Sequence, residues 1–278
     1  MASSPFHENP ELPDTIGVWM SKTEQEHRQE IVETGRLVYQ KGWVAANDGN
    51  ITVRLDDNRL LCTPTGVSKG MMKPEDLCIC DMNGTMLEGS RGRTSEILMH
   101  LTIYRMRPDV GSVVHAHPPV ATGFAVAGRP LNLALVPEVI INLGCVPLAE
   151  YGLPGTPELT RDMVDYIPRY DALLMGNHGA VAYGPDLRKA FFNMETVEHF
   201  AQVSLVAELL GGPQVLPRRE VQKLFDSRGR YGVASRTEME PGSPVVAEEH
   251  HPNEPLSITR EELASLIEDV LRARGVMA

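Results

Sequence analysis

The chain has 278 residues, of which 42% are hydrophobic and 23% charged; it can bury an ordinary core, and disorder as its main state is excluded. A formal charge of -11 without a clustered Lys/Arg stripe argues against a nucleic-acid partner, because phosphate backbones demand a basic footprint. No run of eighteen apolar residues occurs and residues 1–30 are polar, which points away from a membrane span or secretory leader, while Cys62, Cys78, Cys80 and Cys145 suit a reducing cytoplasm better than a disulfide framework.

In chain order, residues 1–22 contain Pro5, Pro10 and Pro13 and no motif, and read as an N-terminal extension. Residues 23–41 carry Ile31, Leu37 and Val38 at helical spacing, and Gly42 ends that helix. Strands over 50–55 and 60–63 flank a turn at Asp56-Asp57-Asn58, and a second hairpin turns at Asn83-Gly84 between 77–80 and 85–87. A helix over 95–106 stops at Arg107-Pro108 and leads into an apolar strand, 111–117. An apolar stretch (134–141), a Gly/Pro-rich loop (144–157), a helix (158–167), a strand (172–175) and a long helix (186–210) follow. This alternation predicts a three-layer α/β/α domain over residues 23–236 with a mixed central sheet.

Residues 237–278 hold nine acids against three arginines, so a net of -6 lies in the tail. Proline and glutamate make 237–256 a flexible linker. Over 257–275 a short amphipathic helix is expected: Thr259 and Glu262 form a capping box, and Leu263, Leu266, Ile267, Val270 and Leu271 form one stripe. A single apolar stripe on a tethered helix requires a partner.

The sharpest chemical feature is His115-Ala116-His117 at the end of a strand, where side chains two apart share a face and two imidazoles can converge on one cation. His178, in Gly176-Asn177-His178-Gly179 after another apolar strand, is a third candidate. Three strand-end histidines match a catalytic zinc site with an open position; the competing reading is satisfied core histidines. Thr94-Ser95-Glu96 opens a helix, whose N-terminus offers positive potential to an anion or is simply capped there. Asn47-Asp48-Gly49-Asn50 and Thr63-Pro64-Thr65-Gly66 either cradle a phosphate or only turn the chain. His100, four residues after Glu96, reads as a helix-sheet contact rather than a ligand, and Cys78 and Cys80 as core thiols. Lys41, Lys69, Lys73, Lys189 and Lys223 fall in polar or turn segments, which disfavours a Schiff-base lysine.

Taken together, Gly49-Asn50, Thr63-Pro64-Thr65-Gly66, Thr94-Ser95-Glu96, Arg107-Pro108-Asp109, His115-Ala116-His117 and Asn177-His178-Gly179 resemble the class II aldolase/adducin family over roughly residues 25–235. Among its members the set is most similar to the zinc-dependent L-fuculose-1-phosphate aldolases. The resemblance implies a homotetramer with active sites between subunits and Zn2+ on His115, His117 and His178, in a ligand set that also accepts Mn2+ or Co2+. It makes Glu96 the acid/base residue and a metal ligand when substrate is absent. It places the substrate phosphate on Asn47, Gly49, Asn50, Thr65, Gly66, Thr94 and Ser95, and it matches Tyr231-Gly232 to a mobile catalytic tyrosine.

The implied reaction is cleavage of a ketose 1-phosphate, L-fuculose 1-phosphate first, into dihydroxyacetone phosphate and an aldehyde such as L-lactaldehyde, with a metal-stabilised enediolate. Glu at position 96, where the related 4-epimerases carry Asp, favours aldolase over epimerase; dehydratases and decarboxylases of the family share the same chemistry. Val136 stands where the aldolases place a second tyrosine, so the resemblance does not extend to the aldehyde side. Adducin-type relatives are non-catalytic binding modules, against which the intact histidines speak. The tail resembles encapsulation peptides of bacterial microcompartments, which implies shell proteins as partners; the alternative is a helix docked on its own oligomer.

Overall fold

The computed structural model describes residues 22–233 and 244–247, and all that follows concerns these. The extension over 1–21, the amphipathic helix over 257–275 and nearly all of the linker lie outside them.

Helix α1 (Glu24–Gln40) starts at a capping box: Thr23 accepts the Glu26 N–H, and Glu26 accepts the Thr23 N–H. Its buried Ile31, Val32 and Val38 pack on one sheet face, whereas Leu37, expected on the same apolar side, is exposed. Strands β1 (Asn50–Arg54), β2 (Arg59–Cys62), β3 (Cys78–Asp81) and β4 (Met86–Glu88) form consecutive antiparallel pairs. After α2 (Ile97–Met106) comes β5 (Ser112–Ala116), then the helices α3 (Pro119–Val126) and α4 (Pro137–Asn142). The chain continues through β6 (Leu148–Ala149), α5 (Glu158–Arg161), β7 (Ala172–Met175), β8 (Gly179–Gly184), α6 (Leu187–Leu209) and α7 (Arg218–Ser227).

One eight-stranded sheet results, in the order β4-β3-β2-β1-β5-β8-β7-β6, antiparallel except for the parallel β6–β7 pair. Residues of α1, α3 and α6 share one core cluster with Ile51, Val53, Val114 and Ala182. Residues of α2 and α5 share a second with Val113, Leu173, Val181 and Tyr183. Adjacent strand residues thus enter opposite clusters, and the mixed three-layer α/β/α architecture follows from the period of two.

Several elements depart from the expectation. The expectation named no element between 117 and 134, yet α3 forms there with Pro119 in its first turn, where a missing N–H costs nothing. The small residues of β8 gave no clear period, the Gly/Pro-rich loop contains β6, and α7, with Val221, Leu224 and Phe225 at helical spacing, is a further element that the expectation did not name. The helix expected over 158–167 is a short α5 followed by a 3-10 turn at Met163–Asp165; between them Asp162 turns its carboxylate to the Glu150 N–H at 2.7 Å. Residues 244–247, read as linker, pair with the domain: Val245 N–H donates to Asn132 O (2.8 Å) and Ala247 N–H to Leu216 O (3.0 Å).

Arg107 fixes the entry to β5. Its guanidinium takes both Asp109 carboxylate oxygens at 3.0 Å, Asp171 Oδ1 at 2.6 Å, and the carbonyls of Ile167 and Tyr170. A buried Arg fork satisfied in this way ties the α2–β5 turn to the start of β7 and so aligns the two strands that lead to the histidines.

Candidate active site

The strand period decides which residues meet. Val114 and Ala116 face the α1/α6 layer, so His115 faces α2, and His117, two residues on, follows the same side. Asn50 is the cross-strand partner of His115, and Glu96 precedes the first turn of α2 above them. His178 arrives from the β7–β8 turn, where Asn177 adopts φ 54°, a left-handed conformation that asparagine tolerates better than most residues.

These four side chains converge. Ring centroids are 4.9 Å apart for His115–His117, 4.8 Å for His115–His178 and 5.2 Å for His117–His178, and the facing atoms of the three rings lie within 4.8 Å of one another. His115 Nδ1 donates to the Ala180 carbonyl at 2.9 Å, so the lone pair of Nε2 points inward, toward His117 Nε2 at 3.1 Å and Glu96 Oε2 at 3.2 Å. Glu96 Oε1 is 3.2 Å from His178 Nε2 and is buried without a hydrogen bond. A single cation placed among these atoms would meet all of their inward-facing electron pairs at once. Nitrogens bound to one tetrahedral zinc sit about 3.3 Å apart, so the donor set fits a divalent ion.

The electrostatics agree. Burial pushes the Glu96 carboxyl up, but His115 and His178 outweigh it and hold it well below the usual carboxylate range. Burial pulls His115 down, and Glu96 and the Ala180 carbonyl more than reverse this, so it is raised. Partial burial, beside two other imidazoles, pushes half-buried His117 down to about 4.

Beside the cluster lies a cleft lined by every residue assigned above to phosphate: Asn47, Gly49, Asn50, Thr65, Gly66, Thr94 and Ser95, together with Glu96 and His117. Thr65 N–H donates to Gly92 O and Thr94 N–H to Thr63 O, which sets the two hydroxyl-bearing turns side by side. Gly49, at φ 70°, is required: a Cβ there would lie 2.6 Å from Val44 Cγ1 and 2.8 Å from His115 O. Contrary to the capping expectation, no side chain caps the start of α2; the Thr94 hydroxyl accepts the Glu96 N–H instead. Tyr231 is 66% exposed and does not line this cleft.

One lysine breaks the expectation that all lie in solvated segments. Lys69 is 1% exposed and donates to Asn47 O (3.0 Å) and Val67 O (2.8 Å), joining the two turns that line the cleft. Burial lowers it to about 8 against the pull of Asp48. Nothing in its local sequence signals this; only the flanking Gly66 and Gly70, which let the chain fold tightly, hint at it.

Gly179 controls how close β8 comes to the cluster. A Cβ there would meet His117 Cδ2 at 2.5 Å and Ala116 O at 2.7 Å, although its own backbone would accept alanine. Gly179→Ala is expected to displace the His117 ring and weaken divalent-metal affinity by on the order of ten- to a hundredfold in a calorimetric titration. Unchanged affinity would mean that His117 is not held by this contact.

Fold and site thus define an α/β protein with three imidazoles and a carboxylate gathered at strand ends beside a small, polar cleft. The chain belongs to the class II aldolase/adducin family: the family's model, the Class II Aldolase and Adducin N-terminal domain, matches residues 29–205. It is 33% identical over 177 residues to an L-fuculose phosphate aldolase of Methanococcus maripaludis, covering 64% of this chain and 95% of that one. It is 34% identical over 188 residues to a 3-oxo-tetronate 4-phosphate decarboxylase of Pectobacterium atrosepticum, covering 66% and 86%. Among solved structures, an L-fuculose 1-phosphate aldolase superposes with a TM-score of 0.69 at 30% identity, over 78% of this chain and 100% of that one.

Proposed function

We propose that this protein is a zinc-dependent aldolase that cleaves a ketose 1-phosphate, L-fuculose 1-phosphate first, to dihydroxyacetone phosphate and an aldehyde such as L-lactaldehyde. The observation that carries the reading is the convergence of His115, His117, His178 and Glu96 at one end of the cleft lined by Thr65, Gly66, Thr94 and Ser95. A divalent ion on the three imidazoles supplies Lewis-acid stabilisation of the negative charge that develops on the ketose oxygens during carbon-carbon cleavage. Glu96, aimed by Asn50 at 2.8 Å, is the carboxylate that moves the proton. Tyr231 assists only if its segment moves into the cleft.

The phosphate end carries the hydroxyls of Thr65, Thr94 and Ser95, the side chains of Asn47 and Asp48, and one buried ammonium. Lys69 is the sole Lys or Arg lining the cleft among the described residues, so it supplies the charge that a dianion needs. Lys69→Met is expected to raise KM for the phosphorylated ketose about tenfold, the worth of one charge-assisted hydrogen bond, with kcat changed less. Because a lysine held near 8 loses its charge as pH rises through that value, wild-type KM should climb above pH 8, and Lys69→Arg should flatten the climb. A pH-independent ratio between the two proteins would remove Lys69 from this role.

A second reading is favoured by Val136 in place of the aldehyde-side tyrosine and by the similarity to the decarboxylase: loss of carbon dioxide from a 3-oxo acid 4-phosphate develops the same charge beside the same cluster. Purified protein incubated with fuculose, rhamnulose and ribulose phosphates and with a 3-oxo-tetronate 4-phosphate separates the two, since dihydroxyacetone phosphate marks the aldolase and carbon dioxide the decarboxylase. The assembly belongs to the same proposal, a homotetramer with active sites between subunits, to be measured by light scattering. Residues 237–278 are proposed as a microcompartment address; a fluorescent fusion that stays diffuse in shell-forming cells would refute this.

A further inference from the structure

We propose that His100 is a positioning residue: a buried hydrogen-bond relay running from Tyr104 through Thr52, His100 and Asn50 holds the carboxylate of Glu96 in one orientation. This rests on the reading of Glu96 as the residue that moves the proton. The relay arises because two periods mesh. Glu96, His100 and Tyr104 are spaced by four along α2 and its N-terminus and share one stripe, while Asn50 and Thr52 are spaced by two on the face of β1 toward α2. Helix turns rise about 6 Å per four residues and strands about 6.6 Å per two, so the side chains interleave.

The contacts alternate accordingly. Tyr104 OH is 3.0 Å from Thr52 Oγ1, Thr52 Oγ1 is 2.8 Å from His100 Nδ1, His100 Nε2 is 2.5 Å from Asn50 Oδ1, and Asn50 Nδ2 is 2.8 Å from Glu96 Oε2. None of the five is more than 8% exposed.

Chemistry leaves one arrangement of protons between Thr52 and Glu96. An ionised Glu96 can only accept, so the amide nitrogen of Asn50 must face it and the amide oxygen must face His100. That oxygen also can only accept, which places a proton on His100 Nε2. Burial pushes His100 down to about 3 against the pull of Glu96, so the ring carries one proton and Nδ1 is an acceptor. The Thr52 hydroxyl then donates to Nδ1. The single Tyr104 hydroxyl proton then goes either to Thr52 Oγ1 or to the Thr52 carbonyl, both at 3.0 Å, and ends the chain. Reversal of the Asn50 amide would set two oxygens against each other at Glu96, and His100 is the group that prevents it. Both ring nitrogens are taken by Thr52 and Asn50, so the ring acts on Glu96 through Asn50.

The tautomer is measured on the full-length, metal-free protein by long-range proton-nitrogen correlation of the imidazoles, with the His100→Gln spectrum identifying the signal. A neutral ring protonated on Nε2 is expected; protonation on Nδ1, or an imidazolium at pH 7, overturns the relay. For turnover, the metal-loaded protein is assayed with L-fuculose 1-phosphate. His100→Leu is expected to lower kcat ten- to a hundredfold with KM and bound metal within twofold, and His100→Gln, which keeps an N–H toward Asn50, to recover most of it. If His100→Leu does not fold, Thr52→Val decides: it removes the donor to Nδ1 together with the link to Tyr104 and leaves the ring in place, and kcat should fall severalfold. Unchanged kcat in these variants, or equal losses in the Leu and Gln forms, overturns the proposal. The two readings fail separately: a Glu96→Gln protein with full activity removes the role of Glu96, and the tautomer result is independent of it.

Discussion

Glu96→Gln is expected to keep the bound metal and lose turnover by on the order of a hundred- to ten-thousandfold, the usual worth of a positioned acid/base group. The amide preserves the shape of the side chain, and the Gln oxygen can still accept from Asn50 Nδ2, which lies 2.8 Å from Glu96 Oε2. Three imidazoles remain to hold the ion. What disappears is a group that can take up and return a proton, so kcat should fall while KM stays nearly constant. Metal analysis beside steady-state kinetics checks both halves. A variant that cleaves as fast as the wild type would transfer the proton to another residue.

Removal of the metal should have an effect at least as large and a thermal signature besides. Nine-tenths of the side chain of His178 is buried and its Nδ1 has no hydrogen bond; it reaches Glu96 from the β7–β8 turn rather than from the sheet, so His178→Ala should fold and yet leave only two imidazoles. Loss of stoichiometric metal is expected, with turnover reduced more than a thousandfold, and a chelator should do the same to the wild type until a divalent ion is restored. An ion present at a thousand times its dissociation constant stabilises the folded state by about 4 kcal/mol, which raises Tm by roughly 8–16 °C for a domain of this size. Scanning calorimetry with and without added zinc reads this shift independently of any substrate. A wild-type protein without stoichiometric metal, and with no shift on adding it, would favour a non-catalytic binding module on the same fold.

Local sequence already specified the parts that depend on neighbours along the chain. Thr23 and Glu26 announce the start of α1, and His115 and His117 must share a face because a strand repeats every two residues. Gly49 and Gly66, both at positive φ, mark the turns that line the cleft. The donor types and their spacing were therefore legible, and with them a metal-and-phosphate chemistry. The small-residue strand β8 and the proline-led α3 were not, since burial rather than propensity selected them.

What only the tertiary structure decided is how those parts depend on groups distant in the chain. Lys69 looks like a solvated turn lysine until the Asn47 turn and its own loop close over it and take its ammonium out of water. His100 looks like a helix-sheet filler until the fourfold step of α2 meets the twofold step of β1 and threads its two nitrogens between Thr52 and Asn50. The reason is physical: which atoms a chain offers is written residue by residue, whereas desolvation and the direction of a hydrogen bond belong to the layers once they are packed.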